Sequence, residues 1–268
     1  MTDPTTAVMI RAAIAAAAEI MAVYARAFVA DAKSDGSPVT EADQRAEEVI
    51  LAQLEPTGIA VLAEESVAAG RIPRLDSSFF VVDPLDGTRE FIKRNGEFAV
   101  NIALTEGGRP VSGVVLAPVS GDICWGDAGG AWAGSVVDGA VTGTRAIRTS
   151  TAGPLHVVAS RSHGHAALAA LCDTLHVVRD VSVGSSLKFC LLAQGEAQLY
   201  PRFTPTSEWD TAAGQAVLEA AGGVVWDLDE APLTCGHRDR DFLNGFFIAA
   251  AGPELARKAA AEMRRLVG

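Results

Sequence analysis

Phe79-Phe80-Val81-Val82-Asp83-Pro84-Leu85-Asp86-Gly87-Thr88 is the stretch on which the fold turns. It opens as an apolar run of the length of a buried strand. It closes on two carboxylates three residues apart with a proline between them, and then Gly-Thr. A strand that delivers Asp83 at its carboxyl end puts that charge where α/β sheets bind ligands. Pro84 cannot extend a sheet ladder, so the strand is expected to stop there. Gly87 and Thr88 can open a helix whose free amides point at an anion. Cation-binding oxygens and anion-binding amides then lie side by side, as metal-assisted phosphate chemistry requires. The competing reading is a solvated turn after a core strand.

Around this stretch lie 268 residues, enough for one large domain or two halves. Hydrophobic residues at 49% and charged residues at 21% give the balance of an ordinary globular protein. The net charge of −11 disfavours a nucleic-acid polymer or an anionic membrane as partner. It would also repel a phosphate substrate unless divalent cations intervene. Cysteines 124, 172, 190 and 235 form no C-x-x-C pair and the five histidines no H-E-x-x-H, so a zinc or thioredoxin-like site has little support. Buried thiols in a reducing cytosol are the expectation. Residues 7–30 are Ala-rich but interrupted by Arg11, Glu19 and Arg26. No uninterrupted apolar run approaches membrane length, so the segment reads as the amphipathic first helix of a cytoplasmic protein with no integral membrane segment. Peripheral membrane attachment and the choice between monomer and homodimer stay open.

A polar, breaker-rich loop is expected over 31–38. Thr40 then caps a second helix with the apolar side Ala42, Ala46, Val49, Ile50 and Leu54, and Asp43 sits where a capping box needs it. Asp43 is equally readable as a group that orients a water at a metal site. Residues 59–63 form a short strand ending in Glu64-Glu65, and strand alternation would send only one of the two glutamates to the site. Strands are expected over 99–105, 111–119 and 123–125, and the glycine-rich residues 126–143 read as hairpin turns. A polar connection at 144–155 suggests two halves, 1–150 with most metal ligands and 151–268 with Asp210, joined in one catalytic unit. The second half alternates strands (156–159, 176–183, 198–200, 224–228, 246–250) with helices (165–175, 187–193, 206–221, 253–267).

Glu64, Asp83, Asp86 and Asp210 each stand at the edge of an apolar segment. Brought together without cations they would repel and take up protons. Oxygen-only ligation suits Mg²⁺ rather than Zn²⁺, and two such ions can activate a water and hold a phosphate. Asp210 is also a residue that a helix dipole favours, and Ser185 and Ser186 are also simple caps. Lys188 one turn on can reach a phosphate, Arg202 can hold an anion bidentately, and His163 follows a strand in the polar run Ser160-Arg161-Ser162-His163.

Three segments carry a resemblance: Glu64-Glu65-Ser66, Asp83-Pro84-Leu85-Asp86-Gly87-Thr88, and Trp209-Asp210-Thr211-Ala212-Ala213-Gly214 running on to Gly222-Gly223. In this order they resemble the inositol monophosphatase superfamily of Mg²⁺-dependent, lithium-sensitive phosphatases. Within it the chain is most similar to the bacterial CysQ-type 3′(2′),5′-bisphosphate nucleotidases. That likeness rests on Ser37-Pro38-Val39-Thr40, 89–98, 160–163, Gly184-Ser185-Ser186-Leu187-Lys188 and Leu199-Tyr200-Pro201-Arg202-Phe203. The resemblance implies an α+β fold, the layered αβαβα sandwich of the inositol monophosphatase and fructose-1,6-bisphosphatase type. It implies removal of the 3′-phosphate of adenosine 3′,5′-bisphosphate, and action on 3′-phosphoadenylyl sulfate, with inositol or other sugar monophosphates as the alternative substrates. It further implies one Mg²⁺ on Glu64, Asp83 and the Leu85 carbonyl and a second on Asp83, Asp86 and Asp210. Thr88 and Asp43 would orient the attacking water beside Glu64, and the Gly87 and Thr88 amides would meet the scissile phosphate. His163, Ser185, Ser186, Lys188 and Arg202 would make the nucleotide-side contacts.

Overall fold

The structure, a computed structural model, describes residues 2–33, 36–160 and 166–267. The chain begins with α1 (Pro4–Tyr24), a small hairpin of β1 (Ala30–Ala32) and β2 (Pro38–Thr40), and α2 (Glu41–Leu54). Next come β3 (Ala60–Ala63), α3 (Glu64–Ala68), β4 (Ser78–Asp86), α4 (Thr88–Ile92) and β5 (Ala99–Glu106). A meander follows through β6 (Arg109–Leu116), β7 (Asp122–Asp127), β8 (Gly130–Val137) and β9 (Ala140–Ile147). The remainder is β10 (His156–Ser160), α5 (Ala166–Thr174), β11 (Arg179–Val183), α6 (Leu187–Ala193), β12 (Leu199–Arg202), β13 (Thr206–Ser207) and α7 (Ala212–Ala220). It ends with β14 (Val224–Asp227), β15 (Leu243–Asn244), β16 (Phe247–Ala250) and α8 (Pro253–Val267).

Strands β3 to β9 form a seven-stranded sheet in sequence order, parallel only between β3 and β4. A second sheet runs β11-β10-β12-β16-β14. Alternation along β4 sends Phe80 and Val82 to a core shared with α1 and α2, and Phe79 and Val81 to a core shared with α6 and α7. A third core lies between the second sheet and helices α5 and α8. The layers are therefore helix, sheet, helix, sheet, helix: the expected αβαβα sandwich.

The middle helical layer seats on glycine. A Cβ at Gly113 of β6 would stand 2.3 Å from the Ala213 carbonyl of α7, and one at Gly126 of β7 would stand 2.8 Å from the Ala220 Cβ. Helix and sheet meet backbone to backbone, at a distance that any larger side chain forbids.

Several expectations are corrected. Residues 126–143, read as turns, hold all of β8 and part of β9, with turns only at Ala128-Gly129 and at Asp138-Gly139, the latter pair at positive φ (50° and 76°). The polar connection is shorter than expected, because β9 reaches Ile147. Helix α1 ends at Tyr24, and the loop over 31–38 contains the β1–β2 hairpin. The helix expected from 206 starts only at Ala212, after a two-residue strand and a 3₁₀ turn. Helix α1, with 21 residues and a mean hydropathy of 1.7 over its most apolar 18-residue stretch, passes the length and composition test for a membrane span, as core helices also do. Arg11 and Glu19 still interrupt it, so no uninterrupted apolar run approaches that length. Here Met9, Ala12, Ala13, Ala16, Ile20 and Val23 are buried in the core shared with α2 and the first sheet.

Candidate active site

Strand β4 does not stop at Pro84. Its pairing with β5 shifts register between Asp83 and Asp86, a bulge that tolerates the missing proline N–H and re-aims the side chains. Asp83 turns inward, fully buried, and its Oδ1 accepts the Leu85 amide at 3.0 Å. Gly87 follows at φ 98°, where a Cβ would meet the Glu97 carbonyl at 3.1 Å, so a residue without one is required. Thr88 then opens α4.

Asp83, Asp86 and Asp210 converge: each offers a carboxylate oxygen, and these lie within 4.8 Å of one another. Asp86 comes from the end of β4 and accepts the Ser186 amide and the Asn101 side-chain amide. Asp210 comes from the 3₁₀ turn before α7, where it accepts the Ser207 amide at 3.0 Å. Burial, followed by the neighbouring carboxylates, pushes Asp83 well above the ordinary range and Asp210 up to about 8. Asp86 is raised by burial, against the opposing charge of Lys188. An oxygen-only donor set that repels itself this strongly fits a hard divalent cation.

Glu64 stands at the edge of this group. Of Glu64 and Glu65 only Glu64 lines the site, as expected, but not through strand alternation: the strand ends at Ala63 and both glutamates open α3. Lys33 bridges them, with its Nζ 2.7 Å from Glu64 and 2.6 Å from Glu65. Burial pulls the Lys33 ammonium down, but the two carboxylates more than reverse this and raise it. Burial raises Glu64 despite Lys33, and raises Glu65 to about 7. Buried Glu47 anchors α3 by accepting the Glu65 amide and the Ser66 hydroxyl.

The capping reading of Asp43 holds, and its second carboxylate oxygen reaches Thr88. One oxygen accepts the Thr40 amide and hydroxyl, each at 2.7 Å, and completes the cap of α2. The other accepts the Thr88 hydroxyl at 3.0 Å. Thr88 Oγ1 also lies 3.4 Å from the Leu85 carbonyl.

A cavity of about 280 Å³ opens above these groups and is lined by Glu64, Asp86, Gly87, Thr88, Ser185, Ser186, Lys188, Arg202 and Asp210 among others. Ser186 spends its amide on Asp86 and its hydroxyl on Asn101 at 2.6 Å, tying α6 to β5. Ser185 is at φ 50°, and its hydroxyl accepts the Leu187 amide. Lys188 is buried, donates to the carbonyls of Ser185 and Val183, and lies 5.2 Å from the Tyr200 ring. Burial brings its pKa down to about 8. Arg202 Nε donates to the Thr204 carbonyl at 3.3 Å. His163 lies outside the described residues.

Sequence reasoning missed Lys33, Glu47, Asn101 and Thr206. Asn101 had a signal, a lone amide in an apolar strand. Lys33 and Glu47 are ordinary charges in a loop and on a helix until the fold buries them.

The model of the inositol monophosphatase family matches residues 1–267. This chain belongs to the inositol monophosphatase family. Among its relatives in that family, the 3′(2′),5′-bisphosphate nucleotidase CysQ of Escherichia coli O157:H7 is 47% identical over 233 residues, 85% of this chain and 92% of the relative. The protein of the same name from Salmonella typhimurium matches at the same identity over 233 residues. The crystal structure of CysQ from Bacteroides thetaiotaomicron, 38% identical, superposes with a TM-score of 0.76 over 92% of this chain and 96% of that one. The suhB protein of Bartonella henselae, at 23% identity and a TM-score of 0.77 over 98% and 99% of the two chains, shares the fold.

Proposed function

We propose that this protein is a Mg²⁺-dependent 3′(2′),5′-bisphosphate nucleotidase that hydrolyses the 3′-phosphate of adenosine 3′,5′-bisphosphate to AMP and phosphate, and acts also on 3′-phosphoadenylyl sulfate. One observation carries the reading. A cage of acidic oxygens and a pair of cations, Lys188 and Arg202, line one cavity in a chain 47% identical to proteins named for this activity. A monophosphate has nothing for that second, cationic wall to hold.

In this reading Glu64, Asp83 and the Leu85 carbonyl would hold one Mg²⁺, and Asp83, Asp86 and Asp210 would hold a second. Bound there, the metal supplies Lewis-acid stabilisation of phosphate oxygens and a water of lowered pKa. Asp43 takes the Thr88 hydroxyl proton as a hydrogen bond, which leaves the Thr88 oxygen free to accept from the attacking water. The Gly87 and Thr88 amides meet the scissile phosphate. Ser185 and His163 contact the nucleoside, while Lys188 and Arg202 hold the retained 5′-phosphate. Lithium inhibits by competing for one metal position. The location is cytoplasmic, which the four free cysteines fit.

The test is the ratio of kcat/KM for adenosine 3′,5′-bisphosphate to that for inositol 1-phosphate, with Mg²⁺, with and without millimolar Li⁺. The bisphosphate should be preferred by about a hundredfold, roughly two fully formed charge-assisted contacts. Equal rates overturn the nucleotidase reading and leave a sugar phosphatase.

A further inference from the structure

Lys188 and Arg202, two cations on the wall of the cavity, come from different elements, α6 and β12. They stand close enough to feel one another. Burial, opposed by Asp86 and reinforced by the Arg202 charge, brings the Lys188 ammonium down. Two like charges without an anion between them are pushed apart unless other groups hold them.

Tyr200 meets both. Its ring centroid lies 5.2 Å from Lys188 Nζ, within the range of a cation–π contact. Tyr200 and Arg202 stand two apart on β12, so alternation sends both side chains to one face of the sheet. Burial pushes the Tyr200 hydroxyl up to about 12, and the charge of Arg202 and a hydrogen bond with its side chain act against that rise. Arg202 Nε is spent on the Thr204 carbonyl, which leaves the terminal nitrogens of the guanidinium to meet the hydroxyl. The ring cannot swing away. Phe189 and Phe247 meet it edge to face, each with its centroid 5.3 Å distant, and Tyr200 is 3% exposed. Phe189 belongs to the helix that carries Lys188, and Phe247 of β16 is the pairing partner of Arg202. One clamped ring on the cavity wall therefore reaches both cations.

We propose that Tyr200 is a positioning residue for recognition of the phosphate that is not hydrolysed: its clamped ring holds its hydroxyl against Arg202 and so fixes the guanidinium beside Lys188 before a ligand arrives. Tyr200 acts through Arg202 and need not touch the ligand. The inference rests on the bisphosphate nucleotidase reading and adds to it a pre-organised pair of cations in place of two flexible ones.

The experiment is a double-mutant cycle of Tyr200→Phe, which keeps the ring and removes the hydroxyl, with Arg202→Gln. Wild type, both single variants and the double variant are assayed on adenosine 3′,5′-bisphosphate and on adenosine 3′-monophosphate, and melted with and without AMP. Tyr200→Phe should raise KM for the bisphosphate about fivefold, the range of one intramolecular hydrogen bond, with kcat within about twofold. KM for the 3′-monophosphate, which lacks the second phosphate, should not change. Stabilisation of Tyr200→Phe by AMP should shrink. In the Arg202→Gln background Tyr200→Phe should change nothing further, because the group it positions is gone. Equal rises in KM on both nucleotides make the residue structural and overturn the proposal. A Tyr200→Phe effect that survives in full beside Arg202→Gln also overturns it, since the hydroxyl then acts without the guanidinium. Wild-type protein that prefers the bisphosphate, together with an unchanged Tyr200→Phe, overturns the proposal and leaves the nucleotidase reading standing. Wild-type protein that does not distinguish the two nucleotides overturns both.

Discussion

The two walls of the cavity are built in opposite ways. The acidic wall hangs mainly from β4 at the interior of a seven-stranded sheet, with Asp83 and Asp86 fixed by a bulge. The basic wall comes from short pieces: a seven-residue helix, a four-residue strand and a two-residue strand. On the acidic side, carboxylates crowd until burial and mutual repulsion raise Asp83 and Asp210. On the basic side, Lys188 and Arg202 are partly spent on backbone carbonyls. The difference separates two jobs. In the proposed function, a rigid sheet would fix the positions of the atoms that hold a cation, whereas short segments would shape a surface that only has to choose among ligands.

The largest effect that would break this contrast is on the acidic wall. Asp83→Asn should lower kcat by about a thousandfold or more, the scale of losing a metal's electrostatic stabilisation. It should also raise the melting temperature of the metal-free protein, since one of several repelling buried charges is gone. Steady-state phosphate release across a Mg²⁺ titration, with thermal melts in chelator, checks both. A kcat within tenfold of wild type would mean that the acidic group is not the seat of the chemistry.

On the basic wall the expected effect is smaller and of a different kind. Arg202→Gln should raise KM for the bisphosphate by roughly thirtyfold, with kcat changed by about threefold at most, as for a charge-assisted contact made equally in ground and transition states. A fall in kcat with unchanged KM would erase the division between the walls.

The smallest effect sharpens the electrostatics. Asp210 stands at about 8 when folded, against an ordinary 3.8. Between those values the folded state holds a proton that unfolding releases. The unfolded chain therefore binds fewer protons, and stability falls as pH rises through that window. In chelator, the melting temperature should drop by a few degrees from pH 6 to pH 8, and added Mg²⁺ should restore it most at pH 8. A metal-free melting temperature that climbs over the same interval would show that the carboxylates do not oppose one another.

The acidic wall was largely legible in the chain because its signals are local. Asp83 and Asp86 announce themselves at the end of an apolar run, Asp210 at what reads as the start of a helix, and Asp43 in a capping box that also turned out to reach Thr88. Their convergence was not local and came from resemblance. What the chain hid follows from what folding adds. Only Glu64 lines the cavity, as strand alternation predicted, but both glutamates open a helix rather than continue a strand, and Lys33 bridges them there. Glycines at 130, 134 and 143 masked the alternation of β8 and β9, since a residue without a side chain carries no inside or outside. The helix expected from Thr206 waits until Ala212, because Thr206 and Ser207 pair as a short strand and Ser207 and Asp210 cap a 3₁₀ turn.

Gly113 has a reach beyond the packing of α7. Asp210 arrives just ahead of that helix and Asp83 on the sheet beneath it, so the gap between the two carboxylates is set by how closely helix and sheet lie. Gly113 and Gly126 act as a shim of zero thickness. One added methyl, far from any ligand, would wedge the layers apart and open the cage. Metal affinity in this molecule is therefore gauged partly by two residues that can never touch the metal.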